Sequence, residues 1–138
     1  MTSLAEFLFP APARRRFPSM LRWWERRRLA YNLFVGSAGV VTVAGVALLS
    51  LVHPFQDGII LVPLFPILAF GLAANAFYSL GVVVEWLVHR LGGRTVLPVG
   101  PALYRIGLTF SVGLALFPLM AMSVVTLVAL VAKVLGLA

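Results

Sequence analysis

The distribution of arginine constrains the fold of this chain more than any other feature. If the chain crosses a bilayer three times through its three long hydrophobic stretches, every arginine lies at the same face. These arginines are Arg14, Arg15, Arg16, Arg22, Arg26, Arg27, Arg28, Arg90, Arg94 and Arg105. Basic residues beside membrane spans are retained in the cytoplasm. The sequence therefore predicts an all-α membrane protein with three transmembrane helices, its N-terminus cytoplasmic and its C-terminus outside, where only Lys133 lies.

Composition supports a membrane protein and excludes several other classes. Of the 138 residues, 62% are hydrophobic and 11% are charged, whereas soluble domains are about half apolar and about a quarter charged. The net charge of +7 would suggest nucleic acid in a soluble protein. Here the charges lie beside the spans, so we expect no nucleic-acid partner. The absence of cysteine excludes disulfides, thiolate metal sites and cysteine nucleophiles.

The chain divides into a short arm and a single membrane domain. Residues 1–18 are predicted to be a basic cytoplasmic arm, and residues 19–138 a three-helix transmembrane domain, with Ser19 as a candidate N-cap. At about 1.5 Å per residue, roughly 20 residues cross a bilayer core. The predicted spans cover about 29–52, 59–88 and 102–135.

The third predicted span is longer than a simple perpendicular crossing requires. Tilt, protruding ends or a kink at Pro118 would absorb the excess length. An alternative is that Pro118 divides the span into two half-helices, which would place both termini and Lys133 on the inner side.

One face of the second span is small and polar, while the rest is apolar. At about 100° per residue, this face carries Gly71, Ala74, Asn75, Tyr78, Gly81 and Glu85. Lipid cannot satisfy polar groups, so the face should point at protein. With the neighbouring span ends it predicts a polar intramembrane cluster near the inner face, formed by Asn32, Asn75, Tyr78, Glu85 and Arg105.

Glu85 is the one acidic residue within a predicted span. An ionisable residue at membrane depth is a functional candidate. We expect instead that it forms a structural pair with Arg105 or Arg28, which start the other two spans on the same side. Ion or proton handling, or a contact with another subunit, remain alternatives.

Small residues form stripes on all three spans. Such residues let helices approach closely, and at least one stripe is expected to pack within the monomer. Because three helices have limited mutual surface, the others suggest contacts with copies of the chain or with other membrane subunits. The predicted packing residues are Gly36, Gly39, Gly71, Ala74, Gly81, Gly107, Ser111 and Ala115.

The basic residues near the N-terminus suit a second role as ligands for anionic lipid headgroups, at roughly 1 kcal/mol per residue. The candidates are Arg14, Arg15, Arg16, Arg22, Arg26, Arg27 and Arg28. Their one-sided position mainly reflects topology.

Catalytic and cofactor signals do not emerge from the sequence. Paired carboxylates, a Ser-His-Asp set, a glycine-rich phosphate loop and H-E-x-x-H do not occur, and four acids with two histidines leave little for acid–base chemistry. His53 and His89 are isolated, so we expect no metal site. Because the catalytic motifs are missing, we also expect no cofactor and no enzymatic activity.

Two motifs carry a resemblance to known sequences. Trp24-Glu25-x-Arg27-Arg28-x-x-Tyr31-Asn32 enters the first span, and Asn75-x-x-Tyr78-x-x-Gly81-x-x-x-Glu85 lies in the second. Together they resemble a group of small, uncharacterised bacterial multi-span membrane proteins, over about a fifth of the chain. The resemblance implies a bacterial inner-membrane protein with three or four spans and no assigned activity.

Three functional hypotheses remain open at this point. The first is an accessory or structural subunit of a larger membrane complex. The second is a homo-oligomeric channel or pore with Glu85 near the inner mouth. The third is a small transporter or a membrane enzyme.

Overall fold

The computed structural model describes residues 16–54, 64–92 and 99–137. These residues form three long helices. The helices are α1 over Phe17–Val52, α2 over Leu64–Gly92 and α3 over Gly100–Val134. Each is long and apolar enough to cross a membrane. The described residues are therefore almost entirely helical, with three helices capable of spanning a membrane, as the sequence predicts.

Helix α1 begins earlier than its sequence signals suggest. Its first residue is Phe17, preceded by Arg16 in an extended conformation, and Pro18 lies in the first turn. Proline fits there because the first amides of a helix have no intrahelical acceptor. The prediction that Ser19 caps the helix is wrong, since the Ser19 hydroxyl lies within the first turn and donates to the Arg16 carbonyl at 2.7 Å.

The lengths of α3 and α2 test two further predictions, the division of the third span at Pro118 and the end of the second span. Helix α3 runs without interruption through Pro118, so the proposed division into two half-helices is wrong. Helix α2 continues past residue 88 to Gly92, with His89 and Arg90 in its last turn, where cations interact favourably with the helix dipole. The predicted start of the second span, near residue 59, and most of the N-terminal arm lie outside the described residues.

Helices α1 and α3 are parallel and pack closely along their length. The Thr42 hydroxyl donates to the Ala115 carbonyl at 2.7 Å. One turn further, a Cβ placed on Gly45 would lie 2.5 Å from the Leu119 side chain. Only a small residue allows the backbones to approach this closely.

Helix α2 is antiparallel to the other two helices and packs against them mainly through its second half. Its buried residues are Ala74, Tyr78, Val82 and Glu85, whereas no residue from 64 to 73 is fully buried. The start of α1, the end of α2 and the start of α3 therefore meet at one end of the bundle.

The arginines that the structure describes all lie near this end, which we call the arginine end. They are Arg16, Arg22, Arg26, Arg27, Arg28, Arg90 and Arg105. Lys133 lies in the last turn of α3, at the opposite end. The geometry thus reproduces the one-sided charge distribution from which the three spans are predicted.

Candidate functional site

A buried polar contact joins all three helices at the arginine end. The Trp24 indole Nε1 of α1 donates to Glu85 Oε2 of α2 at 2.7 Å, and both side chains are almost fully buried. Gly100, the first residue of α3, lies so close that a Cβ there would be 2.7 Å from the Glu85 carboxyl carbon. Gly81 leaves similar room for the Trp24 ring. Each glycine thus provides the space that one large side chain occupies.

Aromatic rings surround this contact. The Tyr78 hydroxyl donates to the Trp24 carbonyl at 2.5 Å, and the two rings meet edge to face with centroids 5.1 Å apart. Tyr31 packs on the other side of Tyr78, at 4.6 Å between centroids. The Tyr104 ring of α3 meets the Trp24 and Tyr78 rings edge to face, with ring centroids 6.3 Å apart in both pairs. Aromatic pairs in such geometries stabilise a core by about 0.5–1.5 kcal/mol beyond the area they bury.

Arg27 and Arg28 make contacts close to this site. Arg28 donates to the Ser79 hydroxyl at 3.2 Å and pairs with Glu25 at 3.0 Å. Arg27 lies over the Trp23 ring, 3.9 Å from its centroid. Because Arg28 bonds to Glu25 and Ser79, the predicted Glu85–Arg28 pair is wrong. Glu85 is held instead by an indole.

The predicted polar cluster is only partly assembled. Tyr78 and Glu85 are buried close to Trp24. Asn75 is half-buried and donates to the Gly71 carbonyl of its own helix at 3.1 Å. Asn32 and Arg105 are exposed, so they do not belong to a buried cluster. They point outward because the faces of α1 and α3 that pack in the core are set by other residues.

A second polar contact lies deeper in the bundle. The Tyr31 hydroxyl donates to the Ala74 carbonyl at 3.2 Å and lies 2.7 Å from the Ser111 hydroxyl. This arrangement satisfies both hydroxyls within the protein, as a site without water requires. Ser111 and Ala74, predicted as packing residues, therefore occupy the helix interface.

The predicted packing residues fall into two groups. Ala74, Gly81, Ser111 and Ala115 contact neighbouring helices. A Cβ at any of the others would meet no atom within 4 Å, so these positions do not pack closely inside the monomer, and their predicted contacts with other copies or subunits stay a prediction. These open positions are Gly36, Gly39, Gly71 and Gly107.

Sequence reasoning missed the central residues of the site, which are Trp24, Tyr31 and Gly100. Trp24 lies among buried residues of α1 that recur every three, four or seven positions. That stripe comprises Trp24, Tyr31, Val35, Ala38, Thr42 and Val46. The exposed faces of α1 are also apolar, so this spacing did not single out the buried face from sequence.

Among the described residues, no group of three histidine, cysteine or acidic side chains could hold a metal ion. Glu85 has no exposed surface. The contacts found here stabilise the bundle.

Comparison with known proteins adds no assignment. No protein-family model, curated protein or solved structure matches the chain. The resemblance to small bacterial membrane proteins therefore stays a prediction.

The Tyr31 contact predicts a modest effect of one substitution. Replacing Tyr31 with phenylalanine removes a hydroxyl that bonds to α2 and α3 while keeping the buried ring. We expect the free energy of unfolding to fall by about 0.6–1.7 kcal/mol, the range found for hydrogen bonds between membrane helices. Unfolding in mixed micelles, followed by circular dichroism, measures this loss. Tyr104→Phe is the control, and an equal loss there would contradict the assignment.

Proposed function

We propose that this small integral membrane protein is a non-enzymatic accessory subunit, which fills or braces a larger membrane complex. The open glycines Gly36, Gly39, Gly71 and Gly107 carry this proposal. Glycine inside a helix costs about 0.5–1 kcal/mol relative to alanine. Within the monomer these four positions gain no close contact in return. They suit the close approach of helices from outside, where small residues commonly mediate association.

The distribution of polar groups also supports a structural role. The hydroxyl of Tyr78, the indole of Trp24 and the hydroxyl of Thr42 are all bonded to atoms of the neighbouring helices. Large apolar side chains cover most of the remaining surface of the described helices. A surface of this kind suits contact with lipid and with other helices.

The position of Glu85 does not favour a channel. A pore between copies would require this carboxylate to face outward as a ring at the inner mouth. Instead, Glu85 is completely buried and bonded to Trp24. A carboxylate enclosed within one monomer cannot line a passage between monomers.

The proposed environment is the bacterial inner membrane, with the arginine end in the cytoplasm. The one-sided arginines support the orientation, and the motif resemblance supports the membrane. Arg22 and Arg26 are exposed on α1, so they are the best placed of the described arginines on α1 for anionic headgroups. Each contributes roughly 1 kcal/mol near such a surface.

The mass and composition of the particle extracted gently from its native membrane test the proposal. We expect other polypeptides to co-purify with the chain at a fixed ratio. A closed ring of this chain alone would contradict the accessory role. Conductance of that ring with Glu85 and with Glu85→Gln would then be compared. Equal conductance would also exclude a functional carboxylate.

A further inference from the structure

A groove separates α2 from α3. It has a volume of about 360 Å³ and is closed at its base by Trp24 and Tyr31 of α1. Phe77 and Leu80 form part of the α2 wall, and Gly107 lies on the α3 side. The groove is almost entirely apolar. Helices α2 and α3 thus leave an open position beside the three-helix bundle.

The α2 wall of this groove continues as an apolar stripe to the end of the helix. The stripe consists of Phe77, Leu80, Val84, Leu87 and Leu91, with exposed fractions of 70%, 52%, 43%, 45% and 78%. These residues alternate in spacings of three and four. A 3.5-residue period of apolar residues is the pattern along which two helices pack side by side.

Contacts between α1 and α2 fix the level of this stripe along the bundle. Arg28, the last charged residue before the apolar part of α1, bonds to Ser79, and Trp24 bonds to Glu85. At 1.5 Å per residue, Leu87 and Leu91 lie about 12 and 18 Å beyond Ser79 towards the arginine end. They are therefore level with the arginine-rich first turns of α1.

By this alignment lipid tails end before this level, and the second span ends earlier than the predicted residue 88. The charge-free part of α1 from Leu29 to Val52 is about 36 Å long, which already exceeds a hydrocarbon core of about 30 Å. The headgroup layer adds only about 5–8 Å on each side. Leu87 and Leu91 therefore lie beyond the tails, and exposed apolar side chains in such a position mark a protein contact.

Charge distinguishes between the possible protein partners. Arg22, Arg26 and Arg90 are exposed at the same end of the bundle. A second copy in the same orientation would bring its own arginine end beside this one, and like charges repel. A different polypeptide with acidic residues at that level would be attracted instead.

We propose that one helix of a different membrane polypeptide lies in the groove between α2 and α3. It is apolar within the bilayer and acidic just beyond it, and it pairs with the stripe from Phe77 to Leu91. The chain then contributes three helices to a four-helix bundle. Gly107 allows the added helix to approach the base of the groove. This inference rests on the proposed accessory role and specifies the contact surface and the chemistry of the partner.

The absence of cysteine from the chain makes a labelling test clean. Single cysteines are introduced as Leu87→Cys, Leu91→Cys and, as an exposed control on α1, Ser19→Cys. A water-soluble maleimide is then applied to two samples. One is the gently extracted native particle, and the other is the purified full chain in phosphatidylcholine vesicles.

We expect the thiols at positions 87 and 91 to react roughly tenfold more slowly in the native particle than in the vesicles. This ratio corresponds to about 90% occupancy of the stripe by the partner helix. The thiol at position 19 should react at similar rates in both samples. Equal rates in both samples at all three positions would overturn the inference. Slow labelling that persists in the vesicles would show that lipid covers the stripe. Disulfide-linked dimers would identify a second copy. Either of these results would also overturn it.

A groove-filling variant provides an independent readout. Gly107→Leu adds a side chain where the monomer has free space, so we expect unchanged thermal unfolding but loss of the co-purifying polypeptide. Gly113→Leu is the control, because Gly113 is equally open but does not line the groove. If other polypeptides co-purify while the thiols at positions 87 and 91 remain reactive, the accessory role stands and this inference falls. A particle that contains only this chain would overturn both.

Discussion

Replacing Trp24 with alanine is expected to lower the free energy of unfolding by about 3–5 kcal/mol, the usual cost of truncating a buried tryptophan. Trp24 is nearly inaccessible, and its ring fills the space left by Gly81. The substitution removes the donor to Glu85 and leaves a cavity where the three helices meet. Reversible unfolding in mixed micelles, followed by circular dichroism, measures the loss.

Two variants separate the packing of Trp24 from its hydrogen bond. Trp23→Ala removes a neighbouring ring that is only half-buried, so its effect should be clearly smaller. A loss as large as that of Trp24→Ala would contradict the central role of Trp24. Glu85→Gln keeps an acceptor for the indole and removes only the charge, so we expect a loss smaller than the membrane average of about 0.6 kcal/mol for a whole hydrogen bond.

Replacing Gly100 with alanine is expected to destabilise the protein by about 1–3 kcal/mol, the usual cost of overpacking a filled site. The added Cβ would lie within 2.7 Å of Glu85 Oε1 and Cδ. The carboxylate would have to move, and its hydrogen bond to Trp24 would be strained or lost. The same unfolding measurement tests this prediction.

Gly113→Ala is the matched control, because it places the same methyl group in the same helix where no atom lies within 4 Å. There the change should stabilise α3 by up to about 1 kcal/mol through helix propensity. The two substitutions are thus expected to have opposite signs. Equal effects would show that Gly100 is not the close-packed position described here.

The contact between Trp24, Glu85 and Gly100 explains why the bundle is tightly held at the arginine end. It joins α1, α2 and the first residue of α3 within a few ångströms. Towards the opposite end, α2 contributes no fully buried residue before Ala74. The groove between α2 and α3 opens beside this end of the bundle.

The sequence by itself determined the three spans and the arginine end. Span length follows from the number of consecutive apolar residues. The one-sided arginines follow from where those runs begin and end, with Arg28 and Arg105 each directly before an apolar stretch. Both are properties of local sequence, so no knowledge of packing is needed to read them. The contact residues Ala74 and Gly81 were also predictable, since they lie on the small face of α2.

Only the tertiary structure decided which side chains meet. Glu85 bonds to an indole rather than to Arg28. The space beside Gly100 is occupied by the Glu85 carboxylate, whereas the space beside Gly107 is empty within the monomer. These outcomes depend on the rotation of each helix about its axis and on its sliding along its neighbours. In a membrane helix nearly every face is apolar, so hydrophobic periodicity does not specify that rotation. Close packing and buried hydrogen bonds set it instead.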